Sequence, residues 1–419
     1  MKSKAYRAVD VNRVDLAAWL KDRDESLVHA GLDIGKDEVL STLRWGPADF
    51  DRPWRTRNPL EVVRLAELLS GVACGRQLVV AMEPTGTYGD ALRQALEQVG
   101  LIVQRVSPKH ASDYAEIFDG VPSQHDGKDA AVVAELAAQG KSWPWPQHRP
   151  TEVEQELAYH VDWIDGQRRQ MMQWCGRVEA LLSRHWPEAT KIVALCSSTL
   201  LQCLAEYGGP RGLAEAPDGF ECVCRWGRHF LSIEKAQALV DSAYETVGVA
   251  MGRWDEERLR RYAQTIQTCR REMRASQRRL RELTSAHTAI RAMAKIVGVA
   301  TACVLWVDLG DPGDYHCAAA YRKAMGLNLA ERSSGHWEGQ LKISKRGPSR
   351  VRRWMYLAAL RWVRKEPVRS WYLRQKEQRR GEGKPAVIGV MRKLALVLQR
   401  VGGCGEIFDP SRLYSWLMK

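Results

Sequence analysis

Val28-His29-Ala30-Gly31-Leu32-Asp33-Ile34-Gly35 is a short apolar run, interrupted by one glycine and closed by a carboxylate and a second glycine. Its length and its glycine-terminated end predict a buried β-strand that runs into a tight turn. An ionised carboxylate in that setting is costly unless something compensates it, which makes Asp33 a candidate functional residue. Leu78-Val79-Val80-Ala81-Met82-Glu83-Pro84 repeats the form: a Val-rich strand delivers an acid, Glu83, just before proline stops it. Around these two runs, strands over 28–34, 38–45, 77–82 and 101–106 alternate with helices over 59–70, 86–98 and 108–118. A mixed sheet with covering helices follows.

Asp126 and Asp129 open a segment whose Ala, Val and Leu residues recur at helical spacing up to Ala138. An i,i+3 pair leaves one face of one helical turn, so three elements can bring four carboxylates to one region. Hard oxygen ligands of that kind suit Mg²⁺, which keeps coordination positions for water and phosphate. In two-metal phosphoryl transfer such carboxylates serve as ligands and need not be nucleophiles. Each acid alone has an ordinary explanation, a turn for Asp33 and helix-dipole complementation for Asp126 and Asp129. Their order and setting favour the joint one.

The chain has 419 residues, enough for two or three domains with real cores. No run of eighteen apolar residues exists and the first residues lack an apolar leader core, so a cytoplasmic protein is expected, with no membrane partner. The ten cysteines are scattered, and Cys222 and Cys224 have no second His/Cys cluster near them in sequence, so neither structural zinc nor disulfides are expected. Charge is unevenly placed. The whole chain carries +13, yet residues 331–419 hold 21 Lys and Arg against 7 Asp and Glu, which leaves the remainder near neutrality. A basic C-terminal region on a neutral body points to a polyanion, because each cation that neutralises a phosphate releases counterions.

Residues 1–26 are polar and read as a loosely attached arm. A 27–150 α/β domain ends in Trp143-Pro144-Trp145-Pro146-Gln147-His148-Arg149-Pro150, which is expected to break every regular element. Over 151–290 two long, charged, helical stretches, near 152–185 and 256–287, fit paired antiparallel helices or a coiled coil and a dimerisation element. Between them, about 195–250 reads as a small insertion. The last domain, 291–419, starts with Lys295-Ile296-Val297-Gly298-Val299-Ala300-Thr301-Ala302, an apolar stretch with glycine followed by a helix, as in elements that hold DNA backbones at a helix N-terminus. Next come the loop Glu331-Arg332-Ser333-Ser334-Gly335-His336 and, over 342–353, six basic residues in twelve. Arg332, Lys342, Lys345, Arg346, Arg350, Arg352 and Arg353 are the candidate nucleic-acid contacts.

These motifs resemble the DEDD transposases of the insertion sequence 110 family, whose members are RNA-guided recombinases. The resemblance is carried by Gly31-Leu32-Asp33-Ile34-Gly35-Lys36, Met82-Glu83-Pro84-Thr85-Gly86-Thr87-Tyr88, Asp126-Gly127-Lys128-Asp129-Ala130, Gly298-Val299, Ser334-Gly335, Ile343-Ser344-Lys345-Arg346-Gly347 and the tail with Met391-Arg392-Lys393-Leu394. It implies a RuvC-like, RNase H type N-terminal domain, central coiled-coil helices and a mainly helical C-terminal transposase domain with a nucleophilic serine. It further implies a carboxylate tetrad of Asp33, Glu83, Asp126 and Asp129 holding Mg²⁺, and a serine that falls most naturally on Ser334, with Ser333 beside it and Ser344 a more distant choice. Partners implied are donor and target DNA, a guide (bridge) RNA and further copies of the chain, as a homodimer or tetramer. In that family the tetrad of one protomer meets the serine of another, so dimerisation through the long helices is expected to gate activity. A junction-resolving nuclease using the four acids without a serine, and a non-catalytic nucleic-acid scaffold, are the alternatives.

Overall fold

In the computed structural model Leu27–Ile34 forms strand β2, and all of its interior residues except Asp33 are buried. The structure describes residues 7–409 apart from 48, 85, 119–125, 146–149 and 331–340. The chain divides into two units, 1–149 and 150–419.

The first unit is a mixed sheet. Its strands are β1 (Val9–Asp10), β2, β3 (Glu38–Gly46), β4 (Asp49–Phe50), β5 (Trp54–Arg57), β6 (Gln77–Met82), β7 (Val103–Val106) and β8 (Ser142–Pro144). They lie in the order β1-β5-β3-β2-β6-β7-β8, with β4 on β3. β3 is antiparallel to β2 and β5, whereas β2, β6 and β7 run parallel. Helices α1 (Leu16–Leu20), α2 (Val62–Val72), α3 (Asp90–Gln98), α4 (Pro108–Ala115) and α5 (Asp126–Ala138) complete it.

Side-chain alternation splits β2 between two cores. Val28, Ala30, Leu32 and Ile34 pack with the apolar faces of α2 and α3. His29, Gly31 and Asp33 therefore face the other side, where α5 lies. A Cβ on Gly31 would sit 2.0 Å from the Ala130 carbonyl oxygen and 2.4 Å from the Ala134 nitrogen, so the helix backbone rests directly on this glycine. Arg44 on β3 fixes α5 further along, with Nε donating to Glu135 at 2.6 Å.

Two expectations are corrected here. Residues 7–26 are not a loose arm: Val11 and Val14 are buried, β1 pairs with β5, and Trp19 packs edge-to-face on Trp54. Arg23 closes the segment with ion pairs to Asp49 at 2.5 Å and Asp51 at 2.9 Å. Its apolar residues are too sparse to stand out as periodic, yet they fill one sheet edge. Ser142-Trp143-Pro144, expected to be irregular, is edge strand β8, antiparallel to β7, a position where proline's missing N–H is tolerated.

Among the described residues the second unit is helical apart from one two-stranded ribbon. It contains α6 (Glu152–His185), α7 (Ala189–Ile192), α8 (Ser198–Tyr207), α9 (Pro210–Ala214), α10 (Gly219–Gly227), α11 (Ile233–Tyr244), α12 (Arg253–Leu283), α13 (Thr288–Val297), α14 (Val299–Leu309), α15 (Ala318–Ala324), the strands β9 (Leu329–Ala330) and β10 (Lys342–Ile343), α16 (Ser349–Trp362), α17 (Val368–Gln378) and α18 (Lys384–Gly403). α6 starts at a capping box formed by Thr151 and Glu154. It runs antiparallel to α12: Glu156 meets Arg279 at 2.6 Å near one end, and Gln170 meets Cys269 at 3.9 Å further along. The two long helices thus satisfy each other within one chain. Around their far end, α8 and α11 build a separate core with Val178, Leu182 and Ile266, so the expected insertion is a helical cap. At the near end Leu157, Val161, Ile164 and Leu280 join the core of α13 to α18, and no break between cores falls near 290.

Candidate functional site

β2 and β6 are parallel neighbours in register, Leu32 opposite Met82. Asp33 and Glu83 follow these residues and therefore leave the same end of adjacent strands, at the carboxyl edge of the parallel part of the sheet. Ala81 packs with Val132 and Val133 of α5, so Glu83, two residues on, is on the α5 side as well. Asp129 comes from the first turn of α5, held there by the glycine seat at Gly31. Glu83 and Asp129 sense each other: burial first, and the Asp129 charge second, push the Glu83 carboxyl above the ordinary glutamate range.

Asp126 is the first residue of α5, but its side chain lies outside the described residues. Among the described residues no group of three or more His, Cys, Asp or Glu already stands in ligating geometry. The donor set nevertheless suits a hard divalent cation: the acids are oxygen ligands, and two of them repel each other where a cation would relieve the repulsion.

Two contributors were not anticipated. Asn58 donates from Nδ2 to the Gly35 carbonyl at 2.9 Å and to the Tyr88 carbonyl at 3.0 Å. It thereby ties the turn after Asp33 to the turn after Glu83. Lys128, between the two α5 acids in sequence, is only 3 % exposed. Asp33, Lys128 and Asp129 are each held by at least one polar or electrostatic partner. Lysine flanked by acids at a helix start was the available signal for Lys128; Asn58 gave none, because its role depends on loops that meet only in three dimensions.

In the second unit Arg332, Ser333 and Ser334 lie outside the described residues. Ser344 is half-buried, with its N–H donating to the Asn328 carbonyl at 2.6 Å. Lys342, Lys345 and Arg346 are exposed on and after β10, and Arg352 is half-buried, donating to the Gly347 carbonyl at 2.6 Å. Arg350 and Arg353 are not free cations. Arg350 clasps Asp308, by Nε at 2.9 Å and by Nη2, and also reaches Asp162; Arg353 binds the buried Asp165. Two of the expected phosphate contacts, both near the start of α16, are thus committed to intramolecular carboxylates.

A glycine separates α13 from α14. Gly298 joins them with φ +82°, and no side chain caps α14. Its open N-terminal turn lines a cavity of about 490 Å³ together with Arg281, Trp354, Arg361 and Arg364. Arg361 donates to the Val297 carbonyl at its edge. Among the described residues no helix is long and apolar enough to cross a membrane.

Residues 293–374 match the model of the Transposase IS116/IS110/IS902 family. Over 376 residues the chain is 25% identical to the Insertion element IS110 uncharacterized 43.6 kDa protein of Streptomyces coelicolor, covering 85% of this chain and 89% of that protein. Through its C-terminal helices the chain is therefore similar to the transposases of the IS116/IS110/IS902 family, and through most of its length to an IS110 insertion-element protein.

Proposed function

We propose that the chain is an insertion-sequence transposase that cuts and rejoins DNA through a covalent phosphoserine link, guided by an RNA encoded with the element. The observation that carries this is the exit of Asp33 and Glu83 from adjacent parallel strands onto the face where α5 presents Asp129, in a chain whose C-terminal helices match a transposase family. Three antiparallel strands followed by two parallel ones, β5-β3-β2-β6-β7, support an RNase H type, RuvC-like reading of the sheet.

Asp33, Glu83, Asp126 and Asp129 would hold Mg²⁺, which would stabilise charge on the phosphate under attack. Ser334 would be the nucleophile: its hydroxyl loses a proton to a base, its oxygen bonds to phosphorus, and the strand's own oxygen leaves and takes up a proton. The phosphoserine link conserves the bond energy, so a second strand end can displace the serine without ATP. Lys342, Lys345, Arg346 and Arg352 would bind phosphates along the strand, whereas sequence would be read by pairing with the RNA. Work on DNA assigns the protein to the cytoplasm, on the nucleoid when acting, and a homodimer or tetramer is the proposed assembly.

The test is a denaturing gel of labelled donor DNA incubated with the protein, RNA from the element's flank and Mg²⁺, with and without protease. A slow species that collapses on proteolysis and is missing in Ser334→Ala supports the phosphoserine step. Free nicked DNA formed equally well by Ser334→Ala would replace it with a nuclease that uses the acids alone.

A further inference from the structure

The turn Gly326–Asn328 leads into β9 and, in sequence, into the segment that holds Ser334, and cations from three helices surround it. Arg322 of α15 donates from Nε to the Asn328 side chain at 3.3 Å. Arg392 of α18 donates from Nε to the Leu327 carbonyl at 3.0 Å. Arg352 of α16 reaches the same turn, its Nη1 standing 2.8 Å from where a Cβ on Gly326 would be. Lys393 follows Arg392 and shares its half-buried setting.

Other half-buried arginines of this unit meet acids: Arg350 meets Asp308 and Arg353 meets Asp165. Here none does: among the described residues no carboxylate pairs with Arg322, Arg352, Arg392 or Lys393. Burial acts on Arg352, Arg392 and Lys393, and repulsion links Arg322, Arg392 and Lys393. Burial first, then Arg322, hold the Arg392 guanidinium below its ordinary value; burial, Arg392 and Arg322 do the same to the Lys393 amine. Like charges gathered in a half-desolvated place, with no counterion among the described residues, are unfavourable unless an anion completes them. The Nε bonds orient Arg322 and Arg392 and, among the described residues, no hydrogen bond holds the terminal nitrogens of either, whose fork geometry grips phosphate.

We propose that Arg322, Arg352, Arg392 and Lys393 form a cradle for one phosphodiester of the DNA strand that the serine segment acts on. These are positioning residues, and the choice of DNA over RNA rests on the transposase reading through Ser334's place in sequence. The cradle also explains why Arg392 and Lys393 occupy a core-facing helix whose neighbours Met391 and Leu394 are buried: a rigid helix holds the charges together against their repulsion.

The experiment measures affinity of the full-length protein for labelled duplex DNA and for an RNA hairpin across a salt series, alongside melting in phosphate-free, low-salt buffer. Lys393→Gln removes a charge that makes no hydrogen bond among the described residues, and Arg322→Gln removes a second; Arg322→Lys keeps it. We expect each neutral variant to flatten the slope of log K against log salt for DNA by about 1 and to weaken binding roughly 10-fold at low salt. Both neutral variants should melt no lower than the parent without ligand, and Arg322→Lys should retain most of the slope. Parental slopes with folded variants would overturn the cradle, and flattening confined to RNA would overturn its assignment to DNA. Because binding is read without cutting, absence of a phosphoserine product would remove the transposase reading while leaving the measured slope as evidence for a phosphate site.

Discussion

Gly31→Ala tests the geometry of the acid site without touching any acid. The new Cβ would stand 2.0 Å from the Ala130 carbonyl oxygen, 2.4 Å from the Ala134 nitrogen and 2.9 Å from the Ala134 Cβ. Two of these are backbone atoms of α5, so no side-chain rotation relieves the clash, and the helix must retreat by about 1 Å or more to regain ordinary contact. Overpacking of this kind costs about 1–3 kcal/mol. The retreat carries Asp126 and Asp129 with it, and a displacement of about 1 Å at a reacting centre can cost on the order of 100-fold in rate. Calorimetric melting and the rate of Mg²⁺-dependent DNA cleavage are the two assays. Gly46→Ala is the control, since none of the described residues lies within 4 Å of its Cβ position. We expect Gly31→Ala to lose stability and to cut slowly, and to keep DNA affinity, which the proposed function assigns to the basic C-terminal unit. Parental melting and cutting in Gly31→Ala would refute the seat of α5 on β2. Lost stability with an undiminished rate would instead free the chemistry from α5.

Other outcomes follow from the electrostatics. Because the fold raises the Glu83 carboxyl above its ordinary value, the stability tied to its protonated form is present below the ordinary glutamate range and is lost as pH rises through the raised value. Glu83→Gln should therefore melt above the parent near neutral pH in chelator. It should also lose most of the Mg²⁺-induced stabilisation, about 2.7 kcal/mol at a hundredfold excess over the dissociation constant in the parent; equal Mg²⁺ shifts in both proteins would rule out Glu83 as a ligand. Arg350→Ala strands Asp308, whose side chain is 12% exposed, and should cost about 1–3 kcal/mol in a melting experiment while changing DNA affinity little. A variant that melts normally but loses salt-dependent DNA binding would restore Arg350 to the phosphate contacts.

The strand runs at 28–34 and 77–82, the glycine punctuation and the helix from Asp126 were legible in the sequence, because hydrophobic period and turn chemistry are local properties of the chain. So was the concentration of positive charge after residue 331, which is a matter of counting. Local pattern could not say that β2 and β6 lie side by side in register, which is what puts Asp33 next to Glu83, since strand order is a choice made by the whole sheet. Nor could it separate cations by use. Arg350 and Arg352 stand two apart in one basic run, yet one is spent on Asp308 and Asp162 while the other turns to the Gly326 turn. Sequence determined which residues carry charge and which segments become helix or strand. Tertiary structure alone decided which charges meet a partner, because burial and pairing depend on residues far away in the chain: Asn58 bridging Gly35 and Tyr88, or Arg322 sharing a turn with Arg392.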